Sequence, residues 1–332
     1  MTFKDFNFDP RLLEGIEAIG YETPTPVQEQ VIPPILNDKD VIACAQTGTG
    51  KTAAFLLPIL QKIDTNATVP QALILAPTRE LVNQIADEVR NLTKFYGVKV
   101  VSLFGGASPL IQKQNLQKKP IIIVATPGRL LDFINQGVVK LNTVNYFVLD
   151  EVDRMLDMGF VRDIERIWAT LTGVKQTFTF SATLSHEIKT IIKSHVPTYE
   201  FIKVGEEATV NKIDHRMLVV DHDEKLFNVI QLLNKYRKDK VIIFTHTKRN
   251  TQTISKILQA DGFSCGMLNG DMTQGRRQAT LNDFKANKTR ILVTTDVAAR
   301  GLNMEQVALV INFDVPIDAQ SYIHRIGRTG RN

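Results

Sequence analysis

The stretch Ala45-Gln46-Thr47-Gly48-Thr49-Gly50-Lys51-Thr52 follows a short apolar run, residues 41–43, and precedes a segment of helical character. A strand, a glycine-rich turn and a helix in this order are typical of a P-loop. The glycines let backbone N–H groups converge on phosphate oxygens at the positive end of the helix. Lys51 is placed to reach the β- and γ-phosphates, and the Thr52 hydroxyl to ligate Mg²⁺. The stretch predicts a nucleotide site, although Ala45 stands where the usual pattern has Gly.

Composition sets the broad class of the protein. A chain of 332 residues is too long for one ordinary core, so two domains are expected. Hydrophobic residues make up 43% and charged residues 23%, as in globular proteins, and the net charge of +5 suits a polyanionic partner. Cys44 and Cys265 have no metal-ligand spacing and are predicted to be reduced and buried. With no signal core and no membrane-spanning run, the expected location is the cytoplasm.

Apolar runs alternate with helical segments along the whole chain, which predicts mostly parallel sheets covered by helices on both faces. We expect strands in the first half at residues 41–43, 72–76, 98–104, 121–125, 146–150, 177–181 and 201–204. In the second half we expect them at 217–220, 241–244, 265–268, 291–294 and 307–313. The polar, unpatterned stretch between the halves predicts two domains, 1–205 and 213–332, with a linker at 206–212.

Two further motifs carry chemistry. An apolar strand ends in the carboxylates of Asp150 and Glu151, which can hold Mg²⁺ through water and handle the attacking water. On its own, an acidic pair at the end of a strand usually marks the start of a solvated loop. The P-loop upstream favours a catalytic role for this pair. Near the chain end, Arg325, Arg328 and Arg331 share one face if this segment is helical. They indicate either a basic surface helix or an arginine finger that completes the site from the other domain.

Together these residues resemble the DEAD-box RNA helicases of superfamily 2 over essentially the whole chain. Besides the P-loop and Asp150-Glu151-Val152-Asp153, the following stretches match family motifs: 20–28 the Q motif, 77–81 motif Ia, 105–106 the GG motif, 126–129 motif Ib, 181–183 motif III, 243–247 motif IV, 274–277 the QxxR element, 294–301 motif V and 322–331 motif VI. Their family order makes the match specific, and the bacterial RhlE type is the most similar subgroup. The resemblance implies two tandem RecA-like domains.

The resemblance also implies the functional residues. ATP would be bound by Phe3, Thr23, Gln28, Ala45, Gln46, Thr47, Gly48, Thr49, Gly50, Lys51, Thr52, Gly301 and Asn303. Catalysis would fall to Lys51, Asp150, Glu151, Arg328 and Arg331, with Mg²⁺ at Thr52 and Asp150. Coupling between the halves would use Asp153, Ser181, Thr183, His324 and Arg325. The RNA backbone would contact Pro77, Thr78, Arg79, Gly105, Gly106, Thr126, Pro127, Gly128, Arg129, Arg277, Thr294, Thr295 and Asp296.

The expected activity is that of an ATP-dependent RNA helicase, which binds ATP-Mg²⁺ and single-stranded RNA across an interdomain cleft and locally unwinds short duplexes. An ATP-gated RNA clamp or remodelling platform would carry identical motifs, and a DNA-directed or nucleic-acid-independent ATPase is a third alternative. RNA recognition is expected to be independent of sequence, because the motifs offer backbone contacts and few aromatic side chains. No metal other than Mg²⁺ and no membrane is expected; protein partners are not indicated.

Three features depart from the family pattern. Val152 replaces Ala in motif II, which adds two methyl groups and removes no catalytic group. Asn303 stands where the family usually has Asp, so it keeps an acceptor oxygen and loses a charge. Family members continue past motif VI, so the second domain is expected to be truncated at Asn332.

Overall fold

The computed structural model describes residues 1–46, 48–204, 213–299 and 307–329. The chain divides into two compact units, Met1–Gly205 and Glu206–Asn332, and each is described by itself. The predicted linker, 206–212, lies outside the described residues.

The first unit is built on a seven-stranded sheet in which every pair of neighbours is parallel. Its strands are β1 (Val41–Ala45), β2 (Ala72–Leu75), β3 (Val100–Leu103), β4 (Ile122–Ala125), β5 (Tyr146–Asp150), β6 (Gln176–Ser181) and β7 (Glu200–Val204). Their order across the sheet is β3-β4-β2-β5-β6-β1-β7. All seven lie within or overlap the predicted runs.

Helices cover both faces of this sheet, as predicted. They are α1 (Pro10–Ala18), α2 (Pro26–Leu36), α3 (Lys51–Lys62), α4 (Arg79–Leu92), α5 (Pro109–Leu116), α6 (Pro127–Asn135), α7 (Val152–Asp157), α8 (Val161–Trp168) and α9 (His186–His195), with a 3-10 turn at Phe3–Phe6. Ile74 of β2 packs into the cluster formed with α1 to α4, whereas Leu73 and Leu75 pack into the cluster formed with α6 to α9. Because both faces are buried, β2 and β4 are apolar throughout, whereas β6 alternates polar residues with Phe178 and Phe180 although all of its residues are buried.

The second unit has a four-stranded parallel sheet in the order β11-β8-β10-β9. Its elements are α10 (Lys225–Lys235), β8 (Val241–Thr245), α11 (Lys248–Ala260), β9 (Cys265–Leu268), α12 (Gln274–Lys285), β10 (Ile291–Thr295), α13 (Asp296–Ala299), β11 (Leu309–Asn312) and α14 (Ala319–Ile326), with a 3-10 turn at His222–Glu224. Ile243 and Val293 pack with α10 and α11, whereas Ile242 and Leu292 pack with α12 and α13.

One predicted strand is wrong. Residues 217–220 form no strand, and Met217 and Val219 are 88% and 85% exposed. An apolar run becomes a strand only where its backbone finds a neighbour to pair with. In the described part of the second unit, β11 and β9 end the sheet and neither pairs with this run.

Among the helices of the described residues, none is both long enough and apolar enough to cross a membrane.

Candidate nucleotide and RNA site

The P-loop lies between β1, which ends at Ala45, and α3, which begins at Lys51. Gly50 caps α3 with φ +91°, a left-handed conformation that favours glycine. Lys51 is 6% exposed, and its ammonium donates a hydrogen bond to the Ala45 carbonyl at 2.7 Å. The Thr49 hydroxyl donates to the Gln46 carbonyl at 2.8 Å. The loop therefore folds back on the end of its strand and keeps the Lys51 ammonium inside the turn; Thr47 lies outside the described residues.

Gln28, on α2, holds this loop from the side. Its Oε1 accepts from the Thr25 backbone N–H at 2.8 Å, and its Nε2 donates to the Gly50 carbonyl at 3.1 Å. A Cβ placed on Gly50 would lie 2.6 Å from that Nε2, so a larger residue would displace the Gln28 amide in addition to straining the backbone. The Q motif thus supports the P-loop, and recognition of adenine by Gln28 stays a prediction. Sequence reasoning missed this packing role.

The aromatic residue expected to stack on adenine is enclosed by the protein. Phe3 is 4% exposed, and its ring lies 6.3 Å from the Tyr21 ring at an interplanar angle of 23°. Thr23 of the Q motif is exposed. Adenine stacking by Phe3 stays a prediction.

Asp150 ends β5 and is 3% exposed. Among the described residues, its buried Oδ1 has no hydrogen-bond partner. Burial raises the pKa of Asp150 well above its usual range, while the positive charge of Lys51 opposes that rise. A buried carboxylate oxygen without a donor is costly unless a cation or its water shell satisfies it, and Mg²⁺ prefers such oxygen ligands. The residues present therefore fit a magnesium site.

Glu151 is held by an arginine that sequence reasoning missed. Glu151 has φ +53° and is 5% exposed, and Arg154 of α7 is 3% exposed. Arg154 Nη1 donates to Glu151 Oε2 at 2.5 Å. A charge-assisted bond in a buried place orients the Glu151 carboxylate on the first turn of the helix. The available signal was the spacing of three residues, which brings two side chains together on a helix.

Asp153 connects motif II to motif III. Its Oδ2 accepts from the backbone N–H groups of Ala182 and Thr183, both at 3.1 Å, and from the Thr183 hydroxyl at 3.2 Å. The Ser181 hydroxyl donates to the Thr183 carbonyl within the same loop. The loop after β6 is thus fixed to the start of α7, and the coupling role assigned to Asp153, Ser181 and Thr183 stays a prediction.

The three loops expected to contact RNA in the first unit lie side by side, because they follow the adjacent strands β2, β3 and β4. A Cβ on Gly106 would lie 2.2 Å from Arg79 Nη1, so the guanidinium of motif Ia packs on the GG loop. Arg129 Nη1 donates to the Ala107 carbonyl at 3.3 Å, which joins motif Ib to the same loop. The other residues assigned to this surface lie on these loops or at the helix starts that follow them: Pro77, Thr78, Gly105, Thr126, Pro127 and Gly128.

In the second unit, Arg325 of motif VI is 1% exposed and engages motif V. Its Nε and Nη2 donate to the two carboxylate oxygens of Asp296 at 2.6 and 2.7 Å, and its Nη1 donates to Asn312 Oδ1 at 3.0 Å and to the Asp314 carbonyl at 2.6 Å. Because both Asp296 oxygens accept from Arg325, this pair ties two motifs together inside the unit.

Four other predicted residues of the second unit are buried or half-buried. Arg277 is half-buried, and its Nη2 donates to the Ala298 carbonyl at 2.7 Å, whereas Thr294, Thr295 and Arg328 are buried. Several predicted site positions fall outside the described residues or have undescribed side chains: Gly301, Asn303, Arg331 and the side chain of His324.

Sequence and structure comparisons place this site in a known family. Residues 25–191 match the family described as DEAD/DEAH box helicase, and residues 224–332 match the helicase conserved C-terminal domain. The DEAD-box ATP-dependent RNA helicase CshA of Bacillus subtilis is 44% identical over 332 residues, which are 100% of this chain and 67% of that protein. The ATP-dependent RNA helicase CshA of Listeria monocytogenes is 42% identical over 330 residues, which cover 99% of this chain and 64% of that protein.

Among solved structures, Saccharomyces cerevisiae Dbp5 bound to RNA and ADP BeF3 is 32% identical with a TM-score of 0.90, and the match covers 99% of this chain and 86% of that one. This chain spans about two thirds of the length of the CshA relatives. With these matches over both units, the chain belongs to the DEAD-box family of ATP-dependent RNA helicases, and its two helix-covered parallel sheets are RecA-like domains.

Proposed function

We propose that the chain is an RNA-stimulated ATPase that uses ATP and Mg²⁺ to bind single-stranded RNA and to separate short duplexes locally. The observation that carries the proposal is the buried end of β5. There Asp150 has a carboxylate oxygen without a donor, Glu151 is oriented by Arg154, and Asp153 holds the loop of motif III. Lys51 contributes its positive charge to the same place.

The chain's own groups have separable tasks in this proposal. Lys51 and the backbone N–H groups at the start of α3 bind the phosphates. Asp150 and the Thr52 hydroxyl would hold Mg²⁺, which would neutralise charge on the phosphate oxygens. Glu151 orients the attacking water and takes up its proton, and its fixed geometry means that little reorganisation is needed at that moment.

Two arginines of motif VI complete the proposed site. Arg328 and Arg331 would stabilise the charge that develops on the γ-phosphate when the two domains close, and His324 and Arg325 would couple closure to the first domain. These assignments rest on the position of the four residues in motif VI. An arginine finger is worth about 10³–10⁵ in rate in other phosphoryl-transfer systems.

RNA would lie along the loops after β2, β3 and β4. Arg79 and Arg129 supply cations there, and Thr78 and Thr126 supply hydroxyls, which suit a sugar–phosphate backbone. The solved relative Dbp5 is described as bound to RNA and to ADP BeF3, which supports joint binding of nucleotide and RNA. Contacts of this kind carry no sequence information directly, and the 2′-OH would distinguish RNA from DNA.

The narrower assignment to the RhlE type has no support among the relatives named above, which carry the name CshA. We propose no subgroup. Residence in the cytoplasm likewise stays a prediction.

The first test is ATP hydrolysis with single-stranded RNA, with DNA of the same sequence, and without nucleic acid. We expect strong stimulation by RNA and little by DNA. Glu151→Gln should bind ATP as tightly as the parent protein and lose turnover. Equal stimulation by DNA, or near-normal turnover of Glu151→Gln, would contradict the proposal. Strand displacement on short duplexes then separates a helicase from an RNA clamp.

A further inference from the structure

A groove runs along the outer edge of β3, the strand that ends the seven-stranded sheet. It has a volume of about 830 Å³ and lies between α4 and α5, with the length of β3 as its floor. The strand that carries the P-loop is sixth in the sheet order and β3 is first, so the groove is separate from the nucleotide site.

The backbone along this edge is arranged to receive another strand. The carbonyls of Lys99 and Leu103 face β4, because they accept from Ile121 and Thr126 N–H groups at 2.9 Å each. Residues alternate in direction along a strand, so the backbone groups of Val100, Ser102 and Phe104 face the groove. In the part of the chain that the structure describes, no other strand pairs with this edge.

At one end of the edge, the Gln112 side chain makes the two hydrogen bonds that the backbone of a neighbouring strand would make. Gln112 is 4% exposed; its Oε1 accepts from the Phe104 N–H and its Nε2 donates to the Phe104 carbonyl, both at 3.0 Å. The next outward position is Ser102, whose buried hydroxyl has no hydrogen-bond partner among the described residues. Next to the position that Gln112 occupies, the backbone N–H and C=O groups of the edge are therefore spaced so that an extended backbone can pair with them.

The walls of the groove indicate the chemistry of the occupant. Arg90, Lys99 and Lys118 line it, and no Asp or Glu is among its lining residues. Ile111 adds an apolar side chain that is 58% exposed. Arg90 pairs with Asp87, which is not part of the lining. The groove is thus cationic at its rim and partly apolar within.

We propose that this groove binds an extended acidic segment of a protein partner, which adds a strand to the outer edge of β3. Main-chain hydrogen bonds would give the affinity, and alternate side chains of the partner would meet the cationic rim and Ile111. The four residues of β3, at about 3.3 Å each, match a similarly short segment. RNA fits less well, because the phosphate oxygens of its backbone donate no hydrogen bond, which leaves the 2′-OH groups as the only backbone donors to the carbonyls of this edge.

The test uses the full chain and a fluorescent peptide of alternating Glu and Val, with hydrogen exchange of the β3 amides as a second readout. We expect binding at low salt and slower exchange at Val100 and Ser102. Lys99→Glu with Lys118→Glu should weaken binding about tenfold or more. The matched control, Lys189→Glu with Lys193→Glu, changes two exposed lysines of α9 by the same charge and should leave binding unchanged.

A version of the peptide methylated at alternate backbone nitrogens separates strand addition from charge attraction. It should lose binding, since it cannot donate to the edge carbonyls. Retained binding of the methylated peptide, or equal loss in the α9 control, would overturn the proposal. So would slower exchange of the β3 amides caused by single-stranded RNA and not by the acidic peptide, which would assign the groove to nucleic acid.

Discussion

At the scale of single residues, the candidate water-handling group depends on a neighbour. Glu151 and Arg154 are both buried and form one hydrogen-bonded ion pair at 2.5 Å. A buried carboxylate destabilises the fold when its cationic partner is removed. Arg154 is therefore a positioning residue, and its removal should affect both folding and turnover.

Arg154→Met tests this dependence. Loss of the guanidinium leaves the Glu151 carboxylate buried without a cation, and breaking a buried pair costs about 3–5 kcal/mol of unfolding free energy. Thermal melting and ATP turnover should both fall. The double variant Glu151→Gln with Arg154→Met should melt above Arg154→Met, because the uncompensated charge is gone. If the double variant is no more stable, the pair does not contribute through its charge.

Glu88 of α4 gives a prediction about pH. Burial raises the pKa of Glu88 from 4.5 to about 7, although the Tyr21 hydroxyl, which donates to Glu88 Oε1 at 3.0 Å, opposes the rise. The folded state then binds a proton more tightly than the unfolded state. This contribution to stability is complete below pH 4.5 and is lost as pH rises towards 7.

Glu88→Gln keeps the acceptor oxygen for Tyr21 and removes the titration. Relative to the parent protein, it should gain stability as pH rises from 4.5 to 7, by at most about 3 kcal/mol. Chemical denaturation at several pH values measures the difference. The exposed Glu14→Gln on α1 serves as the control and should show no such trend. A constant difference across this pH range would contradict the assignment.

The residues assigned to direct ligand contact belong to motifs that are local in the sequence. The P-loop and Asp150-Glu151 can be recognised from short patterns, since the chemistry proposed for them requires those residue types in that order. Their action on a ligand stays a prediction. Gln28 against Gly50, and Arg325 against Asp296, were not predicted as contacts, because each joins stretches far apart in the chain. Only the fold brings such partners together.

At the scale of elements, eleven of the twelve predicted strands are present, because most strands covered on both faces are rich in apolar and β-branched residues. The exception, residues 217–220, has the same composition but no neighbour to pair with in the described structure. An apolar composition shows that a segment can be buried, but the segment forms a strand only if its backbone pairs with a neighbouring strand.

Asp153→Asn tests how the start of α7 holds the loop that follows β6. The three donors that converge on Asp153 Oδ2 fix the loop after β6 to the start of α7. An amide in place of the carboxylate weakens these charge-assisted bonds and places an NH₂ group near other donors, so we expect about 1–3 kcal/mol less stability. ATP binding should persist while RNA-stimulated turnover falls. Asp157→Asn, exposed on the same helix, is the control; equal effects of the two variants would exclude a specific role for Asp153.

At the scale of the whole molecule, the described P-loop belongs to the first unit, whereas the arginines of motif VI belong to the second. If the units close on ATP and RNA together, both ligands favour the same state. Linkage then requires that each ligand tighten the binding of the other by the same factor. A coupling of about 1–3 kcal/mol corresponds to roughly 5- to 150-fold.

Glu151→Gln allows this coupling to be measured at equilibrium, because it should hold ATP without consuming it. RNA affinity is measured with and without ATP, and ATP affinity with and without RNA, at one salt concentration, since phosphate contacts make RNA binding salt-dependent. We expect two equal ratios, both well above one. Arg328→Ala in the same background should reduce both ratios together, because the closed state would lack one of its contacts to the γ-phosphate. If RNA binds equally well with and without ATP, the two units act independently and the proposed closure is wrong.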